Sequence, residues 1–267
     1  MSGARSELAH VLRELPPPSG RGKVHLNLTG QHANTLLHDG HAWKDFPRTA
    51  PAATRAAIRT ARTGRSRLLV HASFAFVHAL DRGAELEPPL RSCVDAILEC
   101  EALVLAAPLP ACIVRLGYLY GPRSSDLRAY RTAFRLGRPY WSGPPEARQY
   151  HLHQLDAASA LLSGAKSGVA GRIYYATDGH AVSFTQFMDA FARRVGRAKP
   201  LHLPLYSQPL ARWIIQKEHM QQTALRMPLR APTPRVRGWK PKFADYRKGL
   251  DQVIDEWSDA SAPRLHK

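Results

Sequence analysis

Apolar residues in this chain come in short unbroken runs, separated by stretches with a helical repeat. Residues 24–28 (Val-His-Leu-Asn-Leu), 67–73 (Arg-Leu-Leu-Val-His-Ala-Ser) and Ala111–Leu116 read as strands, the last with Cys112, Ile113 and Val114 in a row. A continuous apolar run bounded by a turn signal marks a strand buried on both faces. A helix is expected over 51–62, with Pro51 at its first position and Gly64 just past its end. Strand, helix, strand at this spacing is a βαβ unit, so the sheet is parallel and the fold class is α/β. Residues 91–107 form the next helix, with Cys93, Val94, Leu98, Cys100 and Leu105 on its apolar side. A short strand over 172–176 leads into an Asp178-Gly179 turn. Ser183 and Gln186 then form a capping box for a helix whose Phe184, Phe187, Met188, Phe191 and Val195 keep helical spacing up to Gly196. Further helices are expected over 7–15, 157–162 (capped by Asp156), 210–225 and 245–254, with a loop or short helix over 34–43.

Composition narrows the class. With 267 residues and 44% hydrophobic content, the chain can build one large domain, or a main domain with a small lobe. No run approaches the roughly 18 to 20 apolar residues of a membrane span, and the front of the chain lacks a secretory apolar core. Its Arg and Ser content is that of a transit peptide, but Glu7, Glu14 and the prolines at 16–18 argue against one. Three cysteines give no disulfide framework, so a reducing cytoplasm is the default location. The formal net charge is +17. Because the Lys and Arg are spread along the whole chain without a nucleic-acid motif, the charge points to a small anionic ligand and away from DNA or RNA.

Candidate chemistry lies at the strand ends. Ligands of open α/β sheets gather past the carboxyl ends of the strands. Those ends are Leu116, Gly117 and Tyr118 after one strand and Ser73 after another. Gly117 lets the backbone turn and a ligand come close. Phe134, Tyr140 and Trp141 are candidates for a pocket wall. His151 and His153 share a strand face but have no third ligand at metal spacing, so they read as packing or surface residues.

Several segments, in order, resemble the extended short-chain dehydrogenase/reductases, the family of NAD-dependent epimerases and dehydratases. Arg115-Leu116-Gly117-Tyr118-Leu119-Tyr120-Gly121-Pro122 is similar to its Arg-Pro-Gly-x-x-Tyr-Gly-Pro, with Leu116 in place of Pro. Residues 24–28 resemble its fourth strand, with Asn27 in place of Ala. Residues 70–73 resemble its Val-x-Ser-Ser segment, with Ser73 on the second serine, which bonds the reacting substrate oxygen. Residues 148–157 resemble Arg-x-Tyr/Phe-x-His-Val-x-Asp-x-Ala, and Gly238-Trp239-Lys240-Pro241 its closing Gly-Trp-x-Pro.

The resemblance implies a partial Rossmann-like parallel sheet with flanking helices and a small C-terminal α/β substrate lobe. The expected division is a basic segment over 1–22, a core over 23–135 with returning segments from 147–182, and a mainly substrate-binding lobe over 136–267. NAD or NADP is the implied cofactor, lined by Leu26, Asn27, Ser73, Leu116, Gly117 and Tyr118. The implied substrate is a nucleotide-sugar or similar polyol, held by Arg148 on its diphosphate and by Tyr140 and Trp141. Ser73 and Tyr118 are the catalytic candidates, and His78 and Tyr120 are weighed as substitute acids.

Two departures stand against this. The family's Tyr-x-x-x-Lys pair is absent: aligning its following Glu with Glu101 places Cys93 on the Tyr and Ile97 on the Lys. The Gly-x-x-Gly-x-x-Gly cofactor turn is absent too. Three explanations stay open: a shortened front, an atypical half sheet, or a second copy or partner covering the open sheet. A non-catalytic ligand- or partner-binding protein is the alternative reading.

Overall fold

The computed structural model describes residues 7–16, 22–35, 41–83, 85–88, 90–198, 200–203 and 217–259. Helix α1 (Glu7–Glu14) precedes strand β1 (Val24–Asn27), whose positions alternate between half-buried and buried. A 3-10 turn over Gln31–Ala33 and a short α2 (His41–Lys44) lead into α3 (Phe46–Thr63). The helix expected from 51 starts earlier: a proline occupies its first turn, and Pro51 lies inside it. Proline's missing N–H costs nothing in a first turn, so Pro47 can open this helix. Gly64 closes α3 by donating to the Thr60 carbonyl at 2.9 Å.

Strand β2 (Leu68–Phe74), helix α4 (Leu90–Leu105) and strand β3 (Ala111–Leu116) follow, with a 3-10 segment (Ala75–Arg82) between β2 and α4. Then come β4 (Tyr118–Tyr120), α5 (Ser125–Arg135), β5 (Tyr140–Trp141), β6 (Arg148–His153) and α6 (Gln154–Ser167). Strands β7 (Ile173–Ala176) and β8 (Ala181–Ser183), helix α7 (Phe184–Arg194) and β9 (His202–Leu203) complete the series, with helices Lys217–Ala224 and Tyr246–Asp259 after them. The capping box of α7 is formed on both sides, by Ser183 and Gln186. Of the helix expected over 210–225, residues 210–216 lie outside the described residues.

The main sheet is four parallel strands in the order β1-β2-β3-β7. Its central strands β2 and β3 are buried at every position, and side chains alternate between two cores. Leu68, Val70, Ala72, Cys112, Val114, Leu116, Tyr174 and Ala176 pack with α1 and α6. Leu69 and Ile113 pack on the other face, which α3 and α4 cover. The molecule is therefore a three-layer α/β structure with a Rossmann-like sheet. A second sheet, β4-β6-β8, mixes parallel and antiparallel pairs beside the strand ends.

Asp156 does not cap α6. That helix begins at Gln154, and the ring Nδ1 of His153 accepts from the Leu155 N–H at 3.3 Å. The Asp156 carboxylate instead accepts from the backbone N–H groups of Lys242 (2.6 Å) and Phe243 (2.8 Å). Among the described residues, no helix is long and apolar enough to cross a membrane.

Candidate functional site

A polar row crosses the α4 face of the sheet near its carboxyl end. Strand register sets Ser73 beside Arg115 and Arg115 beside Tyr175. Above them Glu101 of α4 receives the Ser73 hydroxyl at 2.5 Å and Arg115 in a two-pronged grip, Nε at 2.9 Å and Nη2 at 2.7 Å. Arg115 Nη1 donates to the Tyr175 phenol at 2.8 Å, and that phenol lies 3.2 Å from His78 Nδ1. Ser73, Glu101 and Arg115 are all buried. Burial works against the Arg115 charge, but Glu101 and Tyr175 outweigh it and hold the guanidinium above its ordinary value. A bidentate, fully hydrogen-bonded pair of this kind is strong, and removing either member would strand the other.

Glu101 also fixes the rest of α4. Cys93 and Ile97 lie two turns and one turn before it, and both are buried. They belong to an aromatic wall with Trp43, Phe46, Phe74, Phe76 and Tyr118. Trp43 lies 5.0 Å from Phe46, 5.5 Å from Phe74 and 6.2 Å from Phe76, ring centre to ring centre. Phe76 stacks on Tyr118 at 5.5 Å, with planes 4° apart. The Cys93 thiol donates to the Trp43 carbonyl at 3.7 Å. The Tyr118 phenol is buried without a hydrogen-bond partner, and burial pushes its pKa well above the ordinary value.

The segment after β1 folds over the strand ends. Asn27 Oδ1 accepts from the Thr29 hydroxyl at 2.6 Å, and Asn27 Nδ2 lies 2.9 Å from His71 Nδ1. Gln31 donates to the carbonyls of Ala72 (3.1 Å) and Ser73 (3.3 Å). Asn34 donates to Gln31 Oε1 (2.9 Å) and the Gly117 carbonyl (3.3 Å), while its own Oδ1 is buried and unpaired.

The residues expected from the sequence fall into two groups. Asn27 ends β1, Ser73 and Leu116 lie at or next to the ends of β2 and β3, and Gly117 and Tyr118 follow. Their side chains divide between the two faces of the sheet: Leu26 and Leu116 pack in the α1 and α6 core and Tyr118 in the aromatic wall by α4. Gly117 is packed against chain: an added Cβ would meet the Tyr150 and His151 carbonyls of β6 at 3.0 Å. Arg148 is half-buried on β6, three residues before His151. Tyr140 and Trp141 are committed elsewhere in the core, to Asp189 (2.8 Å) and Thr223 (3.2 Å). His151 is stacked on Phe187 at 4.1 Å with both ring nitrogens unpaired, and burial pulls its pKa down to about 3.

Sequence reasoning did not foresee Arg115, Tyr175 and Glu101 as one network. An Arg inside an otherwise apolar strand was the available signal, since such a charge needs a buried partner.

No family model matches the chain. A 3-diazoavenalumate denitrifying reductase from a Streptomyces species is 30% identical over 232 residues, covering 80% of this chain and 75% of the relative. A human epimerase family protein solved with NADPH superposes with a TM-score of 0.66 at 14% identity, covering 95% of this chain and 97% of the other. UDP-glucose 4-epimerase from Thermotoga maritima, solved with UDP-glucose, gives 0.65 at 12% identity, covering 97% and 98%. The structural likenesses define a Rossmann-like epimerase fold. The reductase relative goes further: the chain belongs to the extended short-chain dehydrogenase/reductase family of NAD-dependent epimerases and dehydratases.

Proposed function

We propose that this chain is an NAD(P)H-dependent reductase of a small organic acid, built around the nicotinamide end of its cofactor. The observation that carries the reading is the buried, unpaired Asn34 Oδ1 at the strand ends. A buried acceptor without a donor costs stability, and a carboxamide N–H is a donor of the right kind. The Asn34 amide is tied to the turn after β3, donating to the Gly117 carbonyl at 3.3 Å. Among the described residues no pyrophosphate cradle accompanies this position: the sequence has no Gly-x-x-Gly-x-x-Gly, and Gly30 is backed by the Phe46 ring. The residues present therefore fit the nicotinamide half. When bound, that group supplies hydride; the chain's own part is to orient it and exclude water.

The Streptomyces relative is named as a denitrifying reductase of a diazo acid, and a diazo-bearing organic acid is the acceptor class we favour here. Arg148 offers its guanidinium to the carboxylate. The nucleotide-sugar reading assigns the same Arg148 to a diphosphate. Fluorescence titration of the purified chain with NADH and NADPH tests the core of the reading. Saturable binding of one of them is expected. Absence of binding by both overturns it in favour of a non-catalytic ligand- or partner-binding protein.

A further inference from the structure

We propose that His78 hands a proton to the acceptor, with Tyr175 behind it as the source of that proton and Arg115 holding the charge left on the phenol. The inference rests on the reductase reading and goes beyond it, since it adds carbonyl-bearing organic acids to the acceptors. His78 stands on the 3-10 segment (Ala75–Arg82) that leaves β2. That segment reaches β7, where the His78 ring meets Tyr175 edge-on, with ring centres 5.3 Å apart and planes at 70°. The next residue, Ala79, packs with Tyr150 of β6. Arg148 lies two residues before Tyr150, so the two share a strand face, with Cα atoms about 7 Å apart. An imidazole and a guanidinium thus stand on one side of β6, near the carboxyl end of β7, where ligands of such sheets gather. The link to the nicotinamide position is short. Asn34 donates to the Gly117 carbonyl, and the Gly117 N–H donates to the carbonyl of Ala176, the residue after Tyr175.

The hydrogen bonds give the pair a direction. Arg115 Nη1 can only donate, so the Tyr175 oxygen accepts there, at 2.8 Å. The phenol hydrogen is then available to His78 Nδ1, 3.2 Å away, which leaves the imidazole hydrogen on Nε2. A fixed cation beside a phenol favours the phenolate, so this proton is given up more readily than in water. The cation is fixed in turn, because Glu101 grips Arg115 by two bonds. His78 is half-buried, which gives the pair an exchange route with water.

The step balances as follows. Hydride from the reduced nicotinamide forms the new C–H bond at a carbonyl carbon, and the C=O π pair moves onto oxygen. That oxygen takes the Nε2 hydrogen, Nδ1 takes the phenol hydrogen, and the phenolate stays beside the guanidinium until water reprotonates it. One hydride and one proton turn carbonyl into alcohol, with the proton drawn finally from solvent. The family resemblance puts phenol and ammonium on one helix; here phenol, guanidinium and imidazole come from β7, β3 and the segment after β2.

The test uses the full chain at pH 7 with 4-carboxybenzaldehyde and whichever reduced cofactor binds. The alcohol is the expected product, and His78→Gln should lower kcat at least about 100-fold with KM changed less than about threefold. A second arm needs no cofactor. In the chain labelled with nitrogen-15 histidine, the His78 signals are those lost in His78→Gln. They should show hydrogen on Nε2 and a bare, hydrogen-bonded Nδ1. Tyr175→Phe should move them to a mixture of both tautomers, with thermal unfolding showing that this variant is folded; if it is not, the tautomer of the unsubstituted chain decides alone. Hydrogen on Nδ1 in the unsubstituted chain overturns the proposal, as does an unchanged tautomer in folded Tyr175→Phe. A kcat in His78→Gln within about threefold of the unsubstituted chain overturns it too, and so does cofactor binding without aldehyde reduction. Absence of binding by either cofactor fails the reductase reading and this proposal with it, whereas binding without the His78 effects fails this proposal alone.

Discussion

The two halves of helix α4 face the same sheet and do opposite things. Its later half puts Glu101 onto Ser73 and Arg115, and every polar atom of that carboxylate is used. Its earlier half puts Cys93 and Ile97 into a wall of rings. One turn separates a buried ion pair from hydrocarbon. The polar group that holds strands and helix together is kept, and the polar groups that the family uses for proton transfer are replaced. Framework and chemistry are thus separable along a single helix, because each turn presents its own side chains to a different part of the sheet.

Breaking the framework half should have the largest effect. Arg115→Leu leaves Glu101 buried and unpaired, and chemical denaturation should report a loss of about 3–5 kcal/mol. A loss below about 1 kcal/mol would place the pair on the surface side of the ledger. Next comes acid. Burial pulls the His71 imidazole down to about 4, with Glu101 pulling partly back. The folded chain keeps His71 neutral to about pH 4, while an unfolded chain takes up that proton near 6.5. Stability is therefore full above pH 6.5 and falls as pH drops toward 4, by on the order of 3 kcal/mol through this ring. The measure is the difference in pH slope between the chain and His71→Phe; parallel curves would mean that burial does not hold the His71 ring neutral. The smallest effect belongs to the apolar half. Ile97→Val should cost about 1 kcal/mol, an ordinary trimmed methylene. A gain in stability would mean the wall is overpacked and not settled.

The strands were legible because two-sided burial leaves unbroken apolar runs, and β2 and β3 lie where those runs lie. The α7 capping box was legible for a similar reason: its partners sit three residues apart and need no tertiary contact. What sequence could not give was partnership across the fold. Ser73, Glu101, Arg115 and Tyr175 come from four elements, and only the sheet register brings them into one row. Asp156 shows the same limit. Its spacing fits a local cap, yet its acceptors serve backbone groups 86 and 87 residues away. Gly117 reads as room for a ligand until β6 is placed beside it.

That carboxylate has one more consequence. Burial raises the Asp156 pKa, and the Phe243 and Lys242 N–H groups oppose the rise. The stretch leading into helix Tyr246–Asp259 is thereby clamped to the first turn of α6 by two main-chain donors, which no side-chain substitution at 242 or 243 can delete. Replacement of either residue by proline is the exception, since its ring takes away the hydrogen itself. The clamp is thus indifferent to side-chain identity at those positions and tied to an unmodified peptide backbone.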